Sequence, residues 1–240
     1  MPRPLEEWTV LPHGQLTQLD DDLLSVVGEL KMPLGEFPRR MTVARLRDGR
    51  LVIYSAIALD EAEMARLERF GDPAFLIVPG DLHRLDAKIW KDRYPELFVV
   101  APPGARRKVE EVVPVDADDV DFNDDHVRYV TVPGTEGHEA ALIVKTRSGT
   151  TLVVNDLIWN VQDRPGFGGW VFHALGLSGD QPTIPFVVKL HTINDKLALC
   201  AQLEGWSVLR GLNRIIVSHG EIIEADAPNV LRRLAHSLAA

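Results

Sequence analysis

Cysteine is almost absent from this chain of 240 residues, in which Cys200 is the only one. A single thiol cannot form a disulfide within the chain, and it cannot supply the paired cysteines on which many structural zinc sites depend. Cys200 lies in the apolar stretch at 197–201, a setting typical of a buried structural thiol rather than of a nucleophile. The fold must therefore depend on its hydrophobic core alone.

Long apolar runs are missing as well. No uncharged apolar stretch approaches the ~18 residues that a membrane-spanning helix needs, so the sequence predicts no contact with a membrane. The first residues carry prolines and acidic groups where a signal peptide needs a continuous apolar core. We therefore expect a cytoplasmic protein.

Positive charge is in deficit. The chain has 26 lysines and arginines against 35 aspartates and glutamates, a net charge of −9. An acidic chain repels phosphate backbones, so a nucleic-acid partner is not expected. Many of the aspartates fall at 116–125, where the glycine and glutamate positions of a calcium-binding loop are not matched, and this segment is interpreted as a solvated linker.

The sequence does contain clusters of predicted strands with predicted helices between them. Apolar runs predict strands at 41–46, 51–54, 74–78, 97–100, 127–132, 140–144, 150–154 and 214–217. Helical spacing predicts helices at 61–70, around Trp90, at 193–206 and at 227–238. Residues 1–40, with scattered prolines and glycines, are predicted to be an irregular extension packed on a single domain at 41–240. This order is typical of a layered α/β sandwich.

Histidines and aspartates lie beside several of these predicted strands. His83, His138 and His219 each occupy a loop with a glycine close by, and Asp156 follows the strand at 150–154. Loops at strand ends commonly carry functional sites, because the sheet holds them rigidly. Each residue alone would more often be an ordinary loop residue with a hydrogen bond. Together with Asp86, they form a candidate metal or catalytic cluster.

In their order along the chain, these segments resemble the metallo-β-lactamase-like superfamily. The resemblance covers about residues 40–235 and runs through the segments at 42–54, 75–79, 81–86, 137–138, 151–156 and 216–220. The last three are similar to the Gly-His, strand–Asp and final His-Gly elements of that superfamily. The resemblance implies a four-layer αββα sandwich, with metal bound at one edge between two stacked sheets.

The chain departs from the superfamily in the loop after the strand at 75–79. Enzymes of the superfamily carry H-x-H-x-D-H there, which holds two divalent ions, whereas this loop has only His83. Aligning Asp86 with the aspartate of the motif leaves no histidine at its histidine positions. Aligning His83 with the second histidine puts Leu85, which cannot coordinate, at the aspartate. The resemblance is therefore to a branch of unknown function that lacks the motif, and we expect no binuclear site.

Two functions remain open, and they leave open whether the protein is an enzyme. The first is a degenerate member of the superfamily that binds a small molecule or a protein and needs no cofactor. The alternative is a metal-dependent hydrolase with an unorthodox mononuclear site. In that case His138, Asp156 and His219 would hold one zinc, iron or manganese ion, with His83 or Asp86 as general base.

Aromatic residues flanked by glycines follow the strand at 150–154. Trp159, Phe167 and Trp170 are predicted to line a ligand pocket or a partner surface, or equally to form a lid packed on the sheet edge. A homodimer is compatible with such a surface, although no specific pattern indicates one. The nucleophile-elbow motif G-x-S-x-G is absent, and we predict no catalytic serine.

Overall fold

The computed structural model describes residues 3–32, 35–163, 166, 169, 173 and 176–239. This part of the chain contains ten strands: β1 (Thr17–Asp20), β2 (Leu23–Met32), β3 (Gly35–Arg45), β4 (Arg50–Tyr54), β5 (Asp72–Ile77), β6 (Phe98–Val100), β7 (Val127–Thr131), β8 (Ala140–Lys145), β9 (Thr150–Asn160) and β10 (Leu212–Gly220). It also contains six helices: α1 (Glu61–Phe70), α2 (Ala87–Arg93), α3 (Pro103–Val109), α4 (Phe186–His191), α5 (Lys196–Ser207) and α6 (Ala227–Ala239).

The strands form two sheets that pack face to face. The first sheet follows chain order from β1 to β6, antiparallel as far as β4 and parallel from β4 to β6. The second has the order β10-β9-β8-β7, and its β9–β10 pair is parallel. Tyr54 of the first sheet shares one buried cluster with Leu142 and Ile216 of the second. One hydrophobic core therefore lies between the sheets.

Helices cover the outer face of each sheet. Met64 of α1 and Trp90 of α2 are buried against the first sheet. Leu199 of α5 and Leu231 of α6 are buried against the second. The four-layer αββα sandwich expected from the sequence is therefore confirmed. None of the helices in the described ranges has the length and apolar character needed to cross a bilayer.

Helix α1 shows how local sequence determines these elements. The side chain of Asp60 accepts a hydrogen bond of 2.9 Å from the backbone N–H of Glu63, which caps the first turn. Met64 and Leu67 are three residues apart, so both lie on the face that is buried. The helix ends at Phe70, as the spacing predicts.

The prediction of an irregular segment at residues 1–40 is wrong for much of that range. β2 pairs with β3 along its whole length, from Leu23 opposite Ala44 to Met32 opposite Gly35. Leu23 is buried between the sheets, whereas Leu24 is buried under the helices. Burial on both faces over residues 23–26 obscures the alternation of apolar and polar residues by which a strand is recognised in sequence. The first sheet has no break at residue 40, because β3 crosses that position.

Candidate metal centre

The candidate site lies where the pairing between β9 and β10 is interrupted. Val217 of β10 is paired with Val154 of β9, but His219 is paired with Trp159. The segment at 155–158 therefore bulges out opposite Ser218. An irregularity of this kind changes where side chains point, and it lies next to the histidine at the end of β10.

Asp156 lies between two imidazole rings at this bulge. Its Oδ1 is 2.8 Å from Nε2 of His219 and 3.3 Å from Nε2 of His83. His83 comes from the loop after β5 in the first sheet, whereas Asp156 and His219 belong to the second. One potential ligand atom from each residue lies within 4.8 Å of the others. The structure therefore brings together three of the five residues that the sequence indicates.

The other ring nitrogen of each histidine is held by a group outside this cluster. Nδ1 of His219 lies 2.7 Å from the backbone carbonyl oxygen of Pro38, which can only accept, so Nδ1 carries a proton. Nδ1 of His83 lies 2.7 Å from the hydroxyl oxygen of Ser55, which can also accept. With Nδ1 as the donor, Nε2 is left to bind a cation. Metal-binding histidines are usually oriented in this way.

Ser55 reaches His83 from a strained position at the end of β4. Its φ of 57° lies in the left-handed region, which a non-glycine residue adopts at a cost of about 1–3 kcal/mol. Its backbone N–H donates to the carbonyl oxygen of Ile77 at 3.0 Å, which fixes the turn against β5. The sequence gives one signal for such a residue, a polar side chain directly after the buried strand β4, but not for its contact with His83.

The two imidazoles determine the charge of Asp156, whose side chain is 14% exposed. Burial alone would raise the pKa of this carboxyl group. Hydrogen bonds and electrostatic attraction from His83 and His219 outweigh burial and hold the pKa well below its usual range. Asp156 is therefore ionised at neutral pH and supplies a negative charge between the rings.

A second carboxyl group, Glu139, is buried beside Asp156. It is 4% exposed, and its Oε1 accepts a hydrogen bond of 3.3 Å from the side-chain amide of Asn155. Its Oε2 has no hydrogen-bond partner among the described residues. Burial, followed by repulsion from Asp156, raises the pKa of Glu139 well above its usual range. Burial and the neighbouring charge of Asp156 therefore both favour the protonated form of Glu139.

Replacing Glu139 with glutamine should make the protein more stable than the wild type once the pH exceeds the ordinary pKa of a glutamate. Because the pKa of Glu139 is higher in the folded than in the unfolded chain, folding takes up a proton. Stability is therefore lost as the pH rises from the unfolded-state pKa toward the folded-state pKa, by up to about 1.4 kcal/mol per pH unit. Glutamine does not titrate, so in urea denaturation the variant should gain stability relative to the wild type as the pH is raised above the ordinary pKa of a glutamate. Glu136→Gln, at an exposed position, is the control, and equal pH dependence in wild type and Glu139→Gln would contradict the assignment.

Two of the predicted site residues lie outside the cluster. Nδ1 of His138 is 3.3 Å from Oδ1 of Asp81, and both side chains are about one-third exposed. Asp86 is buried in an ion pair with Arg39, and its Oδ1 accepts a hydrogen bond of 2.9 Å from the backbone N–H of Ala58. The metal-binding role of His138 and the catalytic role of Asp86 stay predictions, since these contacts place neither side chain beside Asp156.

Aromatic rings form one wall of the site. The ring centroid of His219 is 4.8 Å from that of Trp159 and 4.5 Å from that of Phe37, and the two aromatic rings are 5.2 Å apart. Trp159 thus borders the site, and its predicted role in lining a ligand pocket stays a prediction; Phe167 and Trp170 lie outside the described residues. The sequence did not indicate Phe37, because it belongs to the segment that we predicted to be irregular.

Comparison with known proteins supports the fold. No family model and no curated protein sequence matches the chain. The metallo-β-lactamase FIM-1 from Pseudomonas aeruginosa, in its mono-zinc form, is similar in structure with a TM-score of 0.62 and 12% identity, over 95% of this chain and 96% of that one. The DIM-1 metallo-β-lactamase exposed to ceftazidime gives 0.64 and 11%, over 97% and 100%. A metallo-β-lactamase from Hirschia baltica gives 0.59 and 11%, over 93% and 98%. The chain therefore has the metallo-β-lactamase-like fold that its sequence resembles.

Proposed function

We propose that this protein is a metal-dependent hydrolase with a mononuclear site, in which His83, Asp156 and His219 hold one divalent ion. One observation carries the proposal: both histidines are anchored through Nδ1, so that both Nε2 atoms face Oδ1 of Asp156. In the absence of a metal ion, the contact of 2.8 Å between Nε2 of His219 and a carboxylate oxygen needs a proton between the two atoms. A bound metal ion would satisfy the same three atoms without that proton.

The donor set suits a transition-metal ion. Two imidazole nitrogens and one carboxylate oxygen are ligands that zinc, iron and manganese all accept. Three protein ligands leave a coordination position free, which is typical of catalytic rather than structural sites. When bound, such an ion activates water and polarises the bond to be cleaved. A mono-zinc form exists for at least one enzyme of similar fold.

The surroundings favour one ion rather than two. Asp86 is paired with Arg39, and His138 faces Asp81, so neither side chain contributes to the cluster. Leu85, buried in the same loop as His83, has no ligand atom. These contacts support the expectation that the binuclear site of the superfamily is lost. The rings of Phe37 and Trp159 favour a substrate with an apolar part.

Metal analysis of protein purified without chelator tests this proposal. We expect about one zinc, iron or manganese ion per chain, and at least a hundredfold weaker binding in His83→Ala, Asp156→Asn and His219→Ala. His126→Ala is the matched control, because His126 lies with Asp124 and Asp125 in a partly exposed group where Arg47 already supplies the positive charge.

Hydrolysis is assayed in parallel on ester, thioester, lactam and phosphodiester panels. We expect at least one class to be cleaved by the metal-loaded wild type and by His126→Ala, but not by the three ligand variants. A chain without metal and without activity would contradict the proposal and would favour a metal-free module that binds a small molecule or a protein. Metal binding without hydrolysis would contradict only the enzymatic part.

A further inference from the structure

The segment that carries His219 is held from the opposite sheet by Arg40. Arg40 belongs to β3 and is only 7% exposed. Its Nε donates to the carbonyl oxygen of Val217 at 3.1 Å, and its Nη2 donates to that of Gly220 at 2.7 Å. These carbonyls lie on either side of Ser218 and His219, so a single guanidinium group brackets the histidine.

The two hydrogen bonds from Arg40 to these carbonyls lie where β10 departs from regular pairing with β9. The register shifts between Val217 and His219, so a donor from outside the second sheet binds carbonyls at both ends of the irregular segment. A guanidinium group has five N–H donors in a rigid plane and can bind several acceptors at once, whereas an ammonium group is a compact point charge. The third donor, Nη1, reaches the hydroxyl of Ser25 at 3.1 Å and ties Arg40 to β2 in its own sheet.

A second restraint on His219 comes from the same strand. The carbonyl oxygen that accepts from Nδ1 of His219 belongs to Pro38, two residues before Arg40 on β3. The contact with the Pro38 carbonyl orients the ring, and the contacts from Arg40 fix the backbone that carries the ring. The orientation of a histidine in the second sheet is therefore set by a strand of the first.

We propose that Arg40 is a positioning residue for the metal centre: it holds the backbone of His219 where Nδ1 meets the Pro38 carbonyl and Nε2 meets Asp156. The role in metal binding rests on the proposed function, whereas the orientation of the ring does not. If Arg40 only linked the two sheets and did not position His219, a different result would be expected. Loss of Arg40 would then lower stability without changing His219 in the protein that remains folded.

Two measurements on Arg40→Met separate these roles. The first is the NMR signal of the Nδ1 proton of His219 in metal-free protein, recorded with ¹⁵N-labelled histidine. We expect a slowly exchanging proton in the wild type, held by the Pro38 carbonyl, and its loss in the variant. The second is zinc affinity, measured by competition with a chelator. We expect binding about 10- to 100-fold weaker, the usual cost of losing a group that orients a ligand.

Ser25→Ala is the matched control, because it removes the third contact of Arg40 but leaves both backbone contacts beside His219. It should keep the Nδ1 proton and bind zinc within twofold of the wild type. Where Arg40→Met does not fold, Arg40→Lys takes its place, since it keeps a buried cation but cannot bind both carbonyls in the same geometry. The same losses are expected.

The proposal is overturned if a folded Arg40 variant keeps the protected Nδ1 proton. It is also overturned if neither variant folds, because Arg40 would then be required for the stability of the fold and not specifically for positioning His219. Wild-type protein that binds no zinc would contradict the proposed function instead, and the NMR measurement would still decide the role of Arg40.

Discussion

Asp86→Ala is expected to lower the free energy of unfolding by about 3–5 kcal/mol, which is the usual cost of removing one partner of a buried ion pair. Asp86 is 1% exposed, and its carboxylate binds both the guanidinium of Arg39 and the backbone N–H of Ala58. Nε of Arg39 already lacks a partner among the described residues. Without Asp86, the buried guanidinium of Arg39 would have no counter-charge among the described residues. Urea denaturation at neutral pH measures the loss.

Two further variants show whether the ion pair is the cause. The double variant Arg39→Met/Asp86→Ala removes both charges and should recover a large part of the lost stability. Glu61→Ala breaks an exposed pair with Arg93, in which Glu61 is 74% exposed, and should leave the free energy of unfolding close to that of the wild type. If Asp86→Ala kept its stability and lost hydrolytic activity, this structural assignment would be wrong. The catalytic role predicted from the sequence would then be supported.

Gly220→Ala is expected to cost about 4 kcal/mol or more and to weaken metal binding. Gly220 has a φ of 102°, a conformation that side chains disfavour. A Cβ atom there would lie 2.0 Å from the carbonyl oxygen of Asn160 and 2.6 Å from the backbone nitrogen of Val161. Both are main-chain atoms, so β9 and β10 would have to separate next to His219. Urea denaturation and zinc competition measure the two effects.

Gly211→Ala separates backbone strain from the collision. Gly211 also has a positive φ, of 74°, but the nearest atom to a Cβ there is 3.7 Å away, an ordinary contact. This variant should lose only the conformational cost, about 1–2 kcal/mol, and keep the metal affinity of the wild type. If Gly220→Ala and Gly211→Ala lost equal amounts of stability and of metal affinity, the added methyl group at Gly220 would be accommodated without moving β10.

Much of the fold could be predicted because it depends on local patterns. Met64 and Leu67 at helical spacing after Asp60 identify α1, and continuous apolar runs identify β5 and β8. Local patterns also predicted part of the candidate site. His83 and Asp156 were predicted because each follows a strand, and strand ends are where a sheet-based fold collects polar side chains.

The rest of the site depends on contacts between distant parts of the chain. Arg40 binds carbonyls that lie 177 and 180 residues further along the chain, and no local pattern indicates such a pairing. Asp86 was assigned to the site because it shares a loop with His83. The structure pairs it with Arg39, from a segment we expected to be irregular. The roles of Ser55 and Phe37 likewise depend on which residues face them.

The positions of the three proposed ligands would couple the binding of an ion to the packing of the two sheets against each other. Asp156 contacts His219, 63 residues further along the chain in the same sheet, and it also contacts His83, 73 residues earlier, across the gap between the two sheets. A complete ligand set therefore exists only when the two halves of the sandwich are docked. An ion at a hundred times its dissociation constant would favour the docked state by about 2.7 kcal/mol. The concentration of available metal would then affect the resistance of the folded chain to heat and to proteases, as well as its hydrolytic activity.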